Sequence, residues 1–210
     1  MKRILCFGDS NTWGLVAGTK ERYEWGIRWT SRLQEALPKE EYQVIEEGLC
    51  GRTTVFEDIT RKGRNGAALL PVLLESHYPV DMVILMLGTN DCKTVYQADA
   101  EQIGDGIRVL LSEIRQASRE CKILLISPIV LGTEVWKEKY DPEFSRESVE
   151  VSKMLPPVLK RLAVEWEIDY LAASDFAEPS HVDWEHLDAQ GHEKLAEAVI
   201  EKVYQGFERI

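Results

Sequence analysis

Four short stretches of the sequence carry groups suited to a single reaction. Gly8-Asp9-Ser10 follows the apolar run Ile4-Leu5-Cys6-Phe7 without a spacer, so a strand would present the Ser10 hydroxyl at its end. A serine hydroxyl is a weak nucleophile at neutral pH; it needs a base within hydrogen-bond reach and donors for the oxyanion that forms on the attacked carbonyl. Asp183-Trp184-Glu185-His186 places a carboxylate three residues before an imidazole. In a tight turn both can face one site, where His186 would take the Ser10 proton and Asp183 would fix its tautomer and stabilise the imidazolium. Donors for the oxyanion are available from the backbone N–H of Ser10, the backbone N–H of Gly51 and the side-chain amide of Asn90 in Gly88-Thr89-Asn90-Asp91. Glycine at position 51 permits unusual dihedrals and close approach of a substrate. The chemistry these groups would support is acyl transfer to water.

Such a set works only if strands and helices bring it together. After the first strand, 15–24 reads as a loop, and Trp29, Leu33, Ala36 and Leu37 mark one face of a helix that ends at Pro38. Tyr42 to Glu46 reads as a second strand leading into a loop with Gly48 and Gly51. A buried helix is expected over 67–76, with Pro71 in its first turn or kinking it. The continuous apolar run Met82 to Leu87 predicts a central strand covered on both faces. Asp99 should cap a helix with Ile103, Ile107, Leu110, Leu111 and Ile114 inward, followed by a fourth strand over 122–126. The long segment 130–145, with Trp136, Tyr140 and Phe144, is expected to be a loop acting as a lid or a subunit contact. A helix over 148–166 is expected to break or kink at Pro156-Pro157. A fifth strand follows over 168–172, then a last helix capped near Asp188 that buries Leu195, Ala196, Val199, Ile200 and Val203.

Alternating strands and helices imply a parallel sheet, because each crossover must return along it. The expected fold class is therefore α/β: a three-layer α/β/α sandwich with a five-stranded parallel, flavodoxin-like doubly wound sheet, formed by residues 1–210 as one domain. Ligands of such sheets bind at the carboxyl ends of the strands. Ser10, Gly51, Asn90 and the 183–186 stretch all fall on that edge.

Bulk properties narrow the partners. With 25 Lys+Arg against 36 Asp+Glu the net charge is -11, which repels phosphate backbones and anionic lipid. No nucleic acid and no membrane partner is expected. Arg52, Arg61, Lys62 and Arg64 form one basic cluster, read as a solvated loop in preference to a site for an anionic substrate group. The apolar run after Met1-Lys2-Arg3 is too short for an export signal, and no apolar segment reaches the roughly 18–20 residues of a spanning helix. A cytoplasmic protein is expected. Cys6, Cys50, Cys92 and Cys121 form no Cys-x-x-Cys pair and do not fall at ligand spacing with His77, His181, His186 and His192, so neither disulfide, metal nor cofactor is expected.

Taken together, Gly8-Asp9-Ser10, Gly51, Gly88-Thr89-Asn90-Asp91 and Asp183-x-x-His186 resemble the four ordered blocks of the SGNH (GDSL-type) hydrolases. The longer strings 2–10, 44–49 with Arg52-Thr53-Thr54, and 86–91 are similar to the bacterial arylesterase and acyltransferase branch, some of whose members form octamers. The resemblance implies Ser10 as nucleophile, Gly51 and Asn90 as completing the oxyanion hole, His186 as base and Asp183 as its orienting partner. It also implies a homo-oligomer acting on a small-molecule ester. Two letters depart from the pattern: Asn11 stands where the family usually has leucine, and Gly51 where the arylesterase branch in places has alanine.

Competing readings attach to several residues. His192 falls inside the last helix and reads as structural, and His181 lacks a carboxylate three residues before it. Asp9 and Asp91 read as loop braces. Trp13 and Trp184, which flank the nucleophile and base in sequence, are candidates for substrate binding or for the core. Cys50 reads as a small filler. The function expected is a serine esterase for short-acyl or aryl esters through an acyl-enzyme on Ser10. Alternatives are an acyltransferase, a carbohydrate O-deacetylase, or a non-catalytic binding domain on the same fold.

Overall fold

A computed structural model describes residues 1–208. Its elements run in the order β1 (Lys2–Gly8), α1 (Ser10–Trp13), α2 (Trp29–Ala36), β2 (Tyr42–Gly48), α3 (Gly66–Ser76), β3 (Met82–Met86), α4 (Ala100–Ala117), β4 (Lys122–Ser127), α5 (Arg146–Glu165), β5 (Asp169–Ala172) and α6 (Ala189–Glu208). All strand pairs are parallel, and the sheet order is β2-β1-β3-β4-β5. This is the flavodoxin-like doubly wound order, with its switch point between β1 and β3. The central position expected for 82–87 is occupied by β3.

Side chains alternate across each strand, and that alternation divides the core in two. Leu5, Phe7, Val83, Leu85, Ile123 and Leu125 face α3, α4 and α5. Ile4, Cys6, Met82, Ile84, Leu124 and Ile126 face the other way, onto Trp29 and Leu33 of α2 and Leu195, Val199 and Val203 of α6. Ile200, expected inside, is only partly buried at the edge of this second layer. Asp99 caps α4 through a full capping box with Gln102.

Two of the sequence expectations for proline are corrected: Pro71 sits in the sixth position of α3, not in its first turn, and α5 is not broken at Pro156-Pro157 but runs on through both. Each proline removes one intrahelical donor. In a helix of 20 residues with Leu155, Val158, Leu159 and Leu162 buried on the sheet, that loss does not end the helix. Two short 3-10 turns, Asn90–Cys92 and Ala173–Asp175, and the four-residue α1 carry no periodicity and lie outside the elements expected from sequence. Among the described residues no helix is long and apolar enough to cross a membrane.

Candidate active site

β1 ends at Gly8 and the chain turns directly into α1. A Cβ on Gly8 would lie 2.0 Å from Thr12 Oγ1 and 2.8 Å from the Met86 carbonyl oxygen, so glycine lets α1 fold back onto the sheet edge. Asp9 caps α1, its Oδ1 accepting the Asn11 N–H at 3.0 Å. Ser10 is thereby fixed as the first residue of α1, above the switch point, and is 3% exposed.

His186, the candidate base, arrives from the loop between β5 and α6. His186 Nε2 lies 2.9 Å from Ser10 Oγ, and His186 Nδ1 lies 2.8 Å from Asp183 Oδ2. An ionised carboxylate only accepts, so in the neutral ring Nδ1 carries the proton and Nε2 is left to accept from the serine. Asp183 is itself clamped. Its Oδ1 accepts the N–H groups of Glu185 and His186, each at 3.0 Å, and its Oδ2 accepts the Gly18 N–H at 2.8 Å. This turn requires Trp184 at φ 64, a left-handed conformation that costs a non-glycine residue about 1–2 kcal/mol.

Asn11 joins the two halves. Its Oδ1 accepts the Leu187 N–H at 2.9 Å and its Nδ2 donates to the Glu185 carbonyl at 3.4 Å, so the carboxamide grips the backbone on both sides of His186. The letter that departs from the family pattern is therefore a strut between the Ser10 turn and the His186 loop. A leucine in its place would satisfy neither group.

The other two donors come from the ends of β2 and β3. Gly51 has φ 82, and a Cβ there would fall 2.6 Å from Arg61 Nη2. Asn90 lies in the 3-10 turn after β3 and donates through Nδ2 to the Arg52 carbonyl at 3.2 Å, leaving its second N–H unengaged. Among the described residues, neither the N–H of Ser10 nor that of Gly51 is bonded to a carbonyl or side chain. Three unengaged donors thus follow the ends of three adjacent strands, β2, β1 and β3.

Arg52 holds this arrangement together and corrects the reading of the basic cluster as a solvated loop. It is 3% exposed, lies over the Phe7 ring at 4.1 Å, and donates through Nη1 to the carbonyls of Gly8, at 2.9 Å, and Glu47. The ends of β1 and β2 are tied to the Gly51 loop by one guanidinium, whose pKa burial brings down to about 10. Arg61 pairs with Asp58 and Arg64 donates to the Cys50 carbonyl, so these two also serve the loop. Asp91 braces the neighbouring segment, accepting both the backbone N–H and the hydroxyl of Thr54.

The electrostatics of His186 are set by burial and three carboxylates. Burial by itself would lower the His186 pKa, but the charge of Glu185, the hydrogen bond and charge of Asp183 and the charge of Asp9 outweigh it and push His186 up to about 9. Burial raises Asp183, yet hydrogen bonds from the His186 ring and from the backbone N–H groups of His186 and Glu185 bring it below the usual carboxylate value. Glu185 is raised, chiefly by burial.

The remaining candidates are placed as follows. His192 is fully buried and accepts the Trp29 N–H through Nδ1, remote from the base position; burial holds its pKa near 4. His181 stacks on Trp184 at 4.3 Å. Trp184 also meets Tyr140 edge-on and fills the space a Cβ on Gly132 would need, so its ring packs into the 130–145 segment. Trp13 is partly exposed under the Arg22 guanidinium, 5.4 Å away. The Cys50 thiol is raised to about 11, mainly by burial, which leaves it unreactive at neutral pH. The 130–145 segment is irregular, with Leu131, Val135 and Phe144 buried and Gly132 bonded to the Trp184 carbonyl. Asn11, Arg52 and Glu185 are the residues of this site whose part was not read from the sequence. Asn11 alone carried a signal, as an irregular letter beside the nucleophile.

A profile of the GDSL-like lipase/acylhydrolase family matches residues 6–194. Est24, a carbohydrate acetylesterase from Sinorhizobium meliloti, is 32% identical over 98% of this chain and 99% of its own, with a TM-score of 0.90. The native aryl esterase of M. smegmatis is 32% identical over 98% and 100%, with a TM-score of 0.88. A lipase/acylhydrolase from Enterococcus faecalis, 17% identical over 98% and 96%, shares the fold with a TM-score of 0.67. No curated protein sequence matches the chain significantly. On its family match and its esterase neighbours, the chain belongs to the GDSL-like lipase/acylhydrolase family and is a carboxylic ester hydrolase of the GDSL/SGNH type.

Proposed function

We propose that the protein is a serine esterase for small esters, working through an acyl-enzyme on Ser10. The observation that carries this reading is the unbroken chain of contacts from Ser10 Oγ to His186 to Asp183, at 2.9 and 2.8 Å. As His186 Nε2 takes the hydroxyl proton, Oγ bonds to the ester carbon and the carbonyl π pair moves onto oxygen. The N–H groups of Ser10 and Gly51 and the Asn90 amide stabilise that oxyanion. Collapse expels the alkoxide, which takes the proton from His186 and leaves as alcohol. Water then attacks the acyl-Ser10 carbonyl with His186 as base, and the same steps in reverse order release the acid and restore the hydroxyl.

Ser10 and His186 are 3% and 7% exposed, and we take the acyl group to be small. The similarity to an aryl esterase and a carbohydrate acetylesterase supports the same choice. Hydrolysis of p-nitrophenyl acetate with a burst of p-nitrophenol, abolished in Ser10→Ala, is the expected behaviour. Turnover that survives Ser10→Ala would refute it.

A further inference from the structure

Glu185 is a buried carboxylate for which the steps above have no use. Its side chain is 8% exposed, and Oε1 lies 3.7 Å from His186 Nε2, the ring atom that faces Ser10. Its backbone is fully engaged, the N–H by Asp183 and the carbonyl by Asn11. Its carboxylate is not: among the described residues none donates a hydrogen bond to it. The backbone contacts fix the side chain's origin, so the clamp that positions His186 also holds the Glu185 carboxylate beside its ring.

A carboxylate removed from water without a hydrogen-bond donor is costly, and folds usually pair or replace it. Lys93, itself 6% exposed and held by Glu143 and Asp141 of the 130–145 segment, supplies a compensating charge but no hydrogen bond. The acceptor sites of Glu185 therefore stay unsatisfied 3.7 Å from His186 Nε2. The leaving alcohol oxygen must sit beside that nitrogen to receive its proton from His186.

Resting on the esterase reading, we infer that Glu185 is a specificity-determining residue that accepts a hydrogen bond from a second hydroxyl on the alcohol half of the ester, next to the ester oxygen. The preferred substrates are then acyl esters of neutral polyols, with vicinal hydroxyls, in preference to esters of simple alcohols. The negative charge also discriminates against alcohols that bear a carboxylate. A site built to receive a hydroxyl rejects an analogue lacking it, because its own polar group is left unpaired.

A matched pair of esters tests this: 2-hydroxyethyl acetate and 2-methoxyethyl acetate, which differ only in the donor. In the wild type, kcat/KM should favour the hydroxyl ester by about tenfold or more. In Glu185→Leu the ratio should fall to near one, and in Glu185→Gln, whose amide oxygen still accepts, it should be partly kept. Thermal melting checks that both variants fold, and the glutamine variant carries the test if the leucine variant does not. A wild-type ratio near one, or a ratio that survives in Glu185→Leu, overturns the inference. If p-nitrophenyl acetate is still hydrolysed in a Ser10-dependent way, the esterase reading stands and only the role of Glu185 falls. If no ester is hydrolysed at all, both fall together.

Discussion

The carboxamide of Asn11, one residue beyond Ser10, accepts the backbone N–H of Leu187, one residue beyond His186, at 2.9 Å. With its second bond to the Glu185 carbonyl, it sets the Ser10 to His186 distance from outside the reacting atoms. Asn11→Leu fills the same space but orphans a buried N–H, which typically costs about 1–3 kcal/mol. The variant should melt lower and lose about tenfold in kcat with little change in KM, since it displaces the base and not the substrate. Thermal melting with steady-state kinetics checks this.

The elevated His186 pKa sets a direction for the pH profile. The base must be neutral to take the Ser10 proton, so kcat/KM should rise with pH along a limb that approaches the His186 value of about 9. Glu185 and Asp183 are the main charges that favour the imidazolium, with Asp9 behind them. Removing one of those charges in Glu185→Gln weakens the imidazolium, and the limb should move to lower pH. A pH profile of p-nitrophenyl acetate hydrolysis for both proteins reads the shift.

The oxyanion donors should differ in their weight. Asn90→Ala removes one donor and should cost about 100- to 1000-fold in kcat. Gly51→Ala keeps its N–H but forces alanine to φ 82, at about 1–2 kcal/mol, and pushes its methyl group against the Arg61 guanidinium. Because that guanidinium is the end of a flexible chain, the loop should survive with a loss of about tenfold. Kinetics of the two variants side by side make the comparison.

Arg52 should matter for stability more than its sequence context suggests. Arg52→Met removes one donor from each of the Gly8 and Glu47 carbonyls, though Gly8 keeps the Leu49 N–H, and takes away the charge over Phe7, for a loss of about 1–3 kcal/mol. Urea unfolding of the variant measures it.

What could be read from the sequence follows from which forces are local. The apolar run of β3 and the helical period of α4 announce themselves within a few residues, and so do the Asp99 and Asp188 caps. The Ser10, Gly51, Asn90 and Asp183/His186 blocks were legible because each follows a strand or sits in one short turn. Arg52 and Glu185 were not, since their roles depend on partners far along the chain: Arg52 on the Gly8 carbonyl, Glu185 on the grip of Asn11 on its carbonyl and on the charge of Lys93. The continuity of α5 through Pro156-Pro157 was likewise invisible, because packing on the sheet overrides a local loss of two donors.

The central claim is that Ser10 is an activated nucleophile. Reaction with a fluorophosphonate, followed by peptide mass spectrometry, tests it most directly. The expected result is one adduct per chain on Ser10, forming in step with the loss of esterase activity and absent in His186→Ala at equal exposure. An intact protein after prolonged reaction, or an adduct on another residue with activity lost, would contradict it.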